Sequence, residues 1–480
     1  MGIKASVSGI RGIVGESLHP PLLVHYTSAY ARWLGRGRVA IGRDTRSSGP
    51  AIQRLVESVL LACGIDVIDL GIVPTPTLLL FVRQKELDGG ILITASHNPI
   101  AWNALKLVKR GGRFLNEEDF AAFTQCLQNV CGAQETQAPD GLYKPAGLLG
   151  GITSDETALT LHADIFARAF PLLTLRRRKF RVAADPGNGA GARMNSLFLA
   201  RLGCHAFHVH DDITGNFARP PEPRPEALAA LSRLVTQEHC AVGFAQDPDA
   251  DRLCLVDETG RALSEEMTLA LSAWSYYLPR GRKNHAGQKK EGEPEHGKSD
   301  IVVNVSTSRY AADVARHYGR KCHLSKVGEA NVLAVMTEKK AEFGGEGNGG
   351  VIYPLLNPCR DSFVGMFLIL ELIAAMRMPL SEIVARFHKE IAPPYTMLKD
   401  TCVFTGAMSG AYARIREECG RRGGAYTENT LDGLRLDFAD GWVHLRESNT
   451  EPVVRIIAEA NASARAKELV SMVKAVLREG

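Results

Sequence analysis

With 480 residues the chain is long enough for about three domains of ordinary size, or four if some are small. Its 45% hydrophobic and 23% charged residues are those of a soluble globular protein, and a net charge of +4 argues against the basic surface that nucleic-acid binding needs. Ten cysteines without a Cys-x-x-Cys pair or a Cys/His cluster fit reduced, buried thiols better than zinc or disulfides. Met1-Gly2-Ile3-Lys4 begins no apolar leader, and the best internal apolar run, 364–376, is broken by Glu371 and too short for a bilayer. A cytoplasmic protein with no membrane and no nucleic-acid partner is expected.

In chain order, one pattern occurs three times: an apolar strand, a polar or glycine-rich turn, an amphipathic helix and a second apolar strand. The first copy places strands at 39–42 and 67–70 around a helix at 51–63. The second runs from 181–184 through Asp185-Pro186-Gly187-Asn188-Gly189 and a helix at 192–202 to 206–210. The third runs from 301–305 through Ser306-Thr307-Ser308 and a helix at 310–318 to 321–324. Strands joined by single crossover helices predict α/β domains with mixed, mostly parallel sheets and helices on both faces. The basic run Arg176-Arg177-Arg178-Lys179 reads as a solvated loop before the second copy.

Toward the C-terminus the pattern changes. A helix near 410–420, strands at 433–438, 442–445 and 453–459, and a last helix at 462–478 are separated by hairpin-type breaks at Asp432-Gly433 and Asp440-Gly441. These predict antiparallel pairing and an α+β domain. We therefore expect domains at 1–150, 151–262, 263–385 and 386–480. The stretch 280–300 is crowded with Lys, Glu, Gly and His, and reads as a mobile surface loop, dispensable over 281–298.

Four strings carry chemistry. Thr94-Ala95-Ser96-His97-Asn98-Pro99 follows an apolar strand, where α/β folds display reactive groups. Ser96 could be a nucleophile or a phosphate carrier, with His97 and Asn98 on phosphate oxygens; plain loop polarity is the bland alternative. Lys106, on the next strand, is a proton acceptor if positive neighbours lower its pKa, and otherwise a surface lysine. Asp247-Pro248-Asp249-Ala250-Asp251-Arg252 lies between two apolar strands. At ~4 Å and an effective dielectric of 20 each like-charged pair costs about 4 kcal/mol, so convergence of all three calls for a hard cation. A solvated acidic turn is the alternative. Gly344-Gly345-Glu346-Gly347-Asn348-Gly349-Gly350 offers acceptors and donors for vicinal sugar hydroxyls on a backbone that a ligand can approach, or is a flexible turn. Arg446-Glu447-Ser448-Asn449-Thr450-Glu451-Pro452, with Arg455 beyond, suits a phosphate dianion, or is a capped surface turn.

In this order and at domain-sized intervals, with Ser8-Gly9-Ile10-Arg11-Gly12 near the start, these strings resemble the α-D-phosphohexomutase family. The resemblance spans the chain. It implies four domains around a central cleft, three related α/β domains and a C-terminal α+β domain. It implies an isomerase that interconverts hexose 6-phosphate and hexose 1-phosphate through a phosphoserine and a hexose 1,6-bisphosphate, as a monomer or homodimer. By resemblance Ser96 is the phosphoserine, and Asp247, Asp249 and Asp251 hold Mg²⁺ with the serine phosphate completing the site. Arg11, His97, Lys106 and Arg252 handle the transferring phosphate and its proton. Glu346 and Asn348 bind the sugar, and Arg446, Ser448, Asn449, Thr450 and Arg455 grip the non-reacting phosphate. Asn348 and Gly350 replace a frequent serine and histidine, and Ser-Asn-Thr replaces Ser-Gly-Thr at 448–450. The strings look most like a subgroup assigned as phosphoglucosamine mutases, with phosphomannomutase/phosphoglucomutase close behind. A non-catalytic sugar-phosphate-binding regulator is the competing class. An alkaline-phosphatase-like hydrolase would bring more metal-ligand histidines and aspartates.

Overall fold

Alternation along two strands explains the first sheet. In Arg38–Arg43 and Gly89–Ile93, Val39, Ile41, Ile91 and Ile93 enter one apolar cluster, while Ala40 and Leu92 enter another on the opposite face. Side chains of a strand point alternately to its two faces, so an uninterrupted apolar strand requires cover on both. Helices Pro20–Leu34, Gly49–Ala62 and Glu117–Cys131 cover one face through residues such as Tyr30, Val56 and Phe123. Helix Thr75–Gln84 covers the other through Leu78, Leu79 and Phe81.

The structure, a computed structural model, describes residues 2–132, 141–170, 172–278, 297–422, 425–447 and 453–478. It divides into two compact units, Met1–Gly297 with Asn348–Ile383, and Lys298–Gly347 with Val384–Gly480. The segment 263–385 is thus shared between them.

In the first unit the large sheet is mixed. Arg38–Arg43 pairs in parallel with Asp66–Ile72 and Gly89–Ile93, and Gly89–Ile93 pairs antiparallel with Trp102–Lys109. The register sets Leu92 opposite Lys106, which brings that lysine to the strand end that leads into Ser96. A second sheet of four strands runs His205–His208, Arg181–Asp185, Val242–Gln246, Leu253–Asp257, parallel except for the last strand. Phe166, Phe198, Phe363 and Phe367 tie three helices together, with ring centroids 4.8 Å apart for Phe166–Phe198 and 5.5 Å for Phe166–Phe367. The apolar run of the sequence is the helix Ser362–Met376, buried in this interior and capped by the Asp361 carboxylate, which accepts from Phe363 N. Among the described residues no single helix is long and apolar enough to cross a membrane.

In the second unit Ile301–Asn304 pairs in parallel with Cys322–Ser325 and Phe343–Glu346. A separate antiparallel sheet is ordered Thr396–Cys402, Val454–Ala460, Gly441–Glu447, Leu434–Phe438, Tyr426–Asn429, with Met408–Arg421 and Ser463–Arg478 packed on it. The predicted α+β character holds, although the two edge strands Thr396–Cys402 and Tyr426–Asn429 are absent from the sequence reading. Both are short of apolar alternation, since edge strands bury little.

One local expectation changes, and another falls mostly outside the described residues. The basic run forms the end of a short helix, Leu173–Arg178, where Arg178 donates to Ala374 O at 3.2 Å. Of the polar stretch, residues 279–296 lie outside the described residues; its far end is anchored, because Asp300 accepts from Lys321 N at 3.0 Å and meets His323 Nε2 at 2.8 Å.

His444 is buried in the second unit, with Nε2 2.5 Å from Asp432 O and Nδ1 2.9 Å from Ser306 Oγ. A neutral ring satisfies both, Nε2–H donating to the carbonyl and Nδ1 accepting from the hydroxyl. Burial, with Arg435 and Arg446 nearby, lowers its pKa from 6.5 to about 4. The folded value lies below the unfolded one, so the unfolded chain takes up the proton first. Stability is full above about pH 6.5 and falls as pH drops toward 4, by roughly 3 kcal/mol in total. Urea unfolding at about pH 7 and pH 5 should show a steeper loss for wild type than for His444→Gln; equal slopes would refute the assignment.

Candidate functional site

The site in the first unit grows from two strand ends. Gly89–Ile93 gives way to a loop in which Thr94 Oγ1 accepts from Ser96 N at 3.0 Å. Ser96 has φ of +50°, a left-handed conformation that disfavours an L side chain by about 1–2 kcal/mol. That turn aims Ser96 Oγ at Asp247, where it donates to Oδ2 at 2.7 Å, with His97 Nδ1 3.4 Å away. Ser96 is buried.

Asp247, Asp249 and Asp251 lie on the turn between the antiparallel strands Val242–Gln246 and Leu253–Asp257. Alternate spacing and a left-handed Ala250 (φ +55°) turn all three carboxylates inward, fully buried, with one oxygen from each within 4.8 Å of the others. Asp247 Oδ1 accepts from the backbone N of Asp251 and of Arg252, each at 3.1 Å. Asp249 Oδ2 accepts from Thr75 Oγ1 and Lys106 Nζ, both at 2.5 Å, and Asp251 Oδ2 accepts from Arg360 at 2.6 Å. The remaining oxygens of the latter two, Asp249 Oδ1 and Asp251 Oδ1, are buried without a protein hydrogen bond. A buried acceptor in that state calls for a cation or a donor from outside the chain.

Electrostatics follow the geometry. Burial and the neighbouring Asp249 and Asp251 push the Asp247 carboxyl well above its usual range. Burial works in the same direction on Asp249, but Lys106 and the hydrogen bond from Thr75 outweigh it and hold that carboxyl far down. His97 is pulled well below its usual value by burial and by Arg252 and Arg11, so it is neutral at physiological pH. Arg11 donates to Asn98 Oδ1 at 2.9 Å and to Ser8 O at 3.2 Å, while its Nε is buried without a partner. Arg252 donates to Glu222 Oε1 at 2.9 Å and lies 3.8 Å from Asp251 Oδ1. Ser96, Arg11, His97, Lys106 and Arg252 thus gather around the three aspartates. The nearest partners of Lys106 are carboxylates, Asp249 at 2.5 Å and Asp251 at 3.6 Å, not the positive neighbours that proton acceptance would call for.

The remaining candidates form a smaller picture. Glu346 is buried in the second unit, its Oε1 accepting from Asn304 Nδ2 at 2.7 Å and Gly328 N at 2.9 Å. Asn348, in the first unit, folds its Oδ1 back onto Gly350 N at 3.2 Å and so caps its own turn. In the second unit Arg446 and Arg455 face each other across an antiparallel ladder, and Arg446 Nε is buried without a hydrogen-bond partner. Ser448, Asn449 and Thr450 lie outside the described residues.

Four models of the phosphoglucomutase/phosphomannomutase family match in series: alpha/beta/alpha domain I over residues 2–130, domain II over 162–260, domain III over 284–390, and the C-terminal domain over 411–476. The chain belongs to this family, the α-D-phosphohexomutases. It is 34% identical over 98% of its length, and 96% of the relative's, to a protein of Methanopyrus kandleri named a probable phosphoglucosamine mutase. It is 31% identical, over all of this chain and 99% of the relative, to a phosphoglucomutase/phosphomannomutase of Thermococcus kodakarensis. A phosphoglucomutase/phosphomannomutase family protein of Burkholderia thailandensis shares the fold, with TM-score 0.78 and 24% identity over 99% of this chain and 96% of that one. As a phosphohexomutase the protein is an isomerase, an intramolecular phosphotransferase; the regulator reading is not favoured.

Several residues of the phosphohexomutase site escape sequence reasoning. Thr75 and Arg360 lie 174 and 109 positions from the aspartates they engage, and Glu222 lies 30 from Arg252, which it holds; none carries a local signal. Asp44 and Arg46 do carry one, since Asp44-Thr45-Arg46 follows the strand Arg38–Arg43 at its carboxyl end.

The loop at 185–190 props the aspartate turn from beneath. Ala190 N donates to Pro248 O at 2.7 Å, and a Cβ on Gly189 would stand 2.5 Å from the backbone of Pro248. Only a residue without a side chain permits that approach. Gly189→Ala should therefore displace the turn, destabilising the protein by about 1–3 kcal/mol and lowering turnover with it. A variant with wild-type melting temperature and activity would show that the two loops are independent.

Proposed function

We propose that this phosphohexomutase carries its phosphoryl group on Ser96, holds one Mg²⁺ with Asp247, Asp249 and Asp251, and acts on glucosamine phosphates. One observation carries the reading: a buried serine hydroxyl 2.7 Å from a carboxylate whose two buried companions each keep an oxygen without a protein partner. An all-oxygen, anionic set suits a hard divalent cation. When bound, such an ion neutralises charge on phosphoryl oxygens.

The chain's own residues supply the rest. The sugar hydroxyl attacks phosphorus, the bond to Ser96 Oγ breaks, and a hexose 1,6-bisphosphate forms. After the sugar has turned, its other phosphate returns to Ser96. Arg11 and Arg252 stabilise the oxygens of the group in transit. His97, neutral beside the serine, accepts the proton of the attacking hydroxyl, while Lys106, paired with Asp249 and Asp251, holds those carboxylates in place beside the group in transit. Glu346 and Asn348 bind sugar hydroxyls, and Arg446 and Arg455, with Ser448, Asn449 and Thr450, hold the phosphate that does not react. The name of the Methanopyrus relative supports glucosamine; that of the Thermococcus relative supports mannose or glucose as the second reading. We also propose the four domain limits 1–150, 151–262, 263–385 and 386–480.

Intact-mass measurement of the purified protein should show one phosphate, absent from Ser96→Ala, whose turnover drops by orders of magnitude. A fully active Ser96→Ala variant would sink the phosphoserine reading. Assays on glucosamine, mannose and glucose 1-phosphates rank the sugars.

Chelation should abolish turnover and Mg²⁺ restore it. Mg²⁺ should also raise the melting temperature of wild type while leaving Asp249→Asn unmoved. An equal thermal shift in both would place the ion elsewhere.

A further inference from the structure

Arg46 is fully buried, and its guanidinium is anchored at one point and spread over four others. Nε donates to Asp44 Oδ2 at 3.0 Å. Nη1 donates to Pro99 O at 2.7 Å and Trp102 O at 3.0 Å, and Nη2 to Ser96 O at 2.6 Å and Asn98 O at 2.7 Å. Arginine has five N–H donors in a fixed planar fork, and here all five are used. Four of them end on the carbonyls of the loop that begins at Ser96. The anchor is itself fixed, because Asp44 Oδ1 accepts from Arg46 N at 2.9 Å and Asp44 Oδ2 from Thr94 Oγ1 at 2.6 Å. Thr94 Oγ1 in turn accepts from Ser96 N at 3.0 Å, and Phe217 covers the guanidinium with its ring centroid 5.0 Å from Cζ.

We propose that Arg46 is the positioning residue of the phosphate carrier: by gathering four loop carbonyls onto one plane, it fixes Ser96 in its left-handed conformation and sets the reach of its Oγ. The inference rests on the phosphoserine reading above. A left-handed serine persists only where its surroundings over-determine it. Thr94 holds the N–H of Ser96 and Arg46 holds its carbonyl, so both peptide groups flanking the reactive side chain are tied to the same Asp44–Arg46 pair. The pair is formally neutral, so it orders the loop without adding charge to the transferring group. Drawing the carbonyl oxygens toward Arg46 also turns those dipoles away from an incoming dianion.

The test is Arg46→Lys, which keeps the charge but offers three donors on one nitrogen and cannot span four carbonyls. Its turnover number should fall at least about tenfold with the sugar KM changed less than about threefold, the pattern of a misplaced reacting group. The ³¹P resonance of the phosphoserine should shift or broaden, and the phosphate should be lost to water faster in the absence of substrate. Phe123→Leu, a core change in the same unit away from the loop, controls for lost stability and should leave turnover number, resonance and phosphate lifetime near wild type. If Arg46→Lys does not fold, Thr94→Val, which keeps the size and cuts the link from Asp44 to Ser96 N, decides the matter by the same readouts. Unchanged turnover and phosphate lifetime in whichever variant folds overturns the inference, as does an equal loss in Phe123→Leu. A wild-type protein with no phosphate on Ser96 would instead overturn the reading beneath it.

Discussion

Three carboxylates closed off from water repel one another strongly enough to unfold a turn, and the first unit is arranged around answering that repulsion. Each pair at contact costs about 4 kcal/mol even at a generous effective dielectric. Lys106 and Arg360 each reach an aspartate directly, Arg252 lies within 4 Å of Asp251, and two backbone amides meet Asp247. What these partners leave is one acceptor without a protein hydrogen bond on each of two aspartates, Asp249 Oδ1 and Asp251 Oδ1. Those acceptors, in a cluster whose third member meets the Ser96 hydroxyl, are the ground for the phosphoryl chemistry proposed above.

The supporting residues come from every layer of that unit. Thr75 opens the helix that covers the second face of the large sheet, and Arg360 precedes the buried helix that Asp361 caps. Arg46 closes the strand Arg38–Arg43. Ser96 and the three aspartates follow the carboxyl ends of strands, where loops can vary without disturbing the ladder. In the second unit Arg446 and Arg455 stand opposite each other in the antiparallel ladder.

Much of this was legible because the signals are local. The strand–turn–helix–strand repeats specify parallel pairing by the length of their crossovers, and the aspartate turn declares itself by spacing between two apolar strands. Ser96 was found by its place after a strand. The edge strands at 396–402 and 426–429 were not legible, since burial too slight to impose alternation leaves no period to read. Partners such as Thr75 and Arg360 were hidden for a different reason: a residue that meets its carboxylate only through tertiary contact has a sequence neighbourhood indifferent to it. Lys106 shows the limit most clearly. The structure brings it to the aspartates, but the sign of its surroundings depends on which loop faces it.

Ala250 stands at φ +55° between two of the aspartates, in a conformation that glycine adopts without steric cost. A methyl group there restricts the unfolded chain and narrows the range of shapes open to the folded turn, at the expense of backbone ease. An ion entering the site then meets ligands with little freedom left to lose. Preorganisation of this kind acts on affinity through entropy, and it would make the identity of a residue outside the carboxylate set part of how tightly the proposed ion is held.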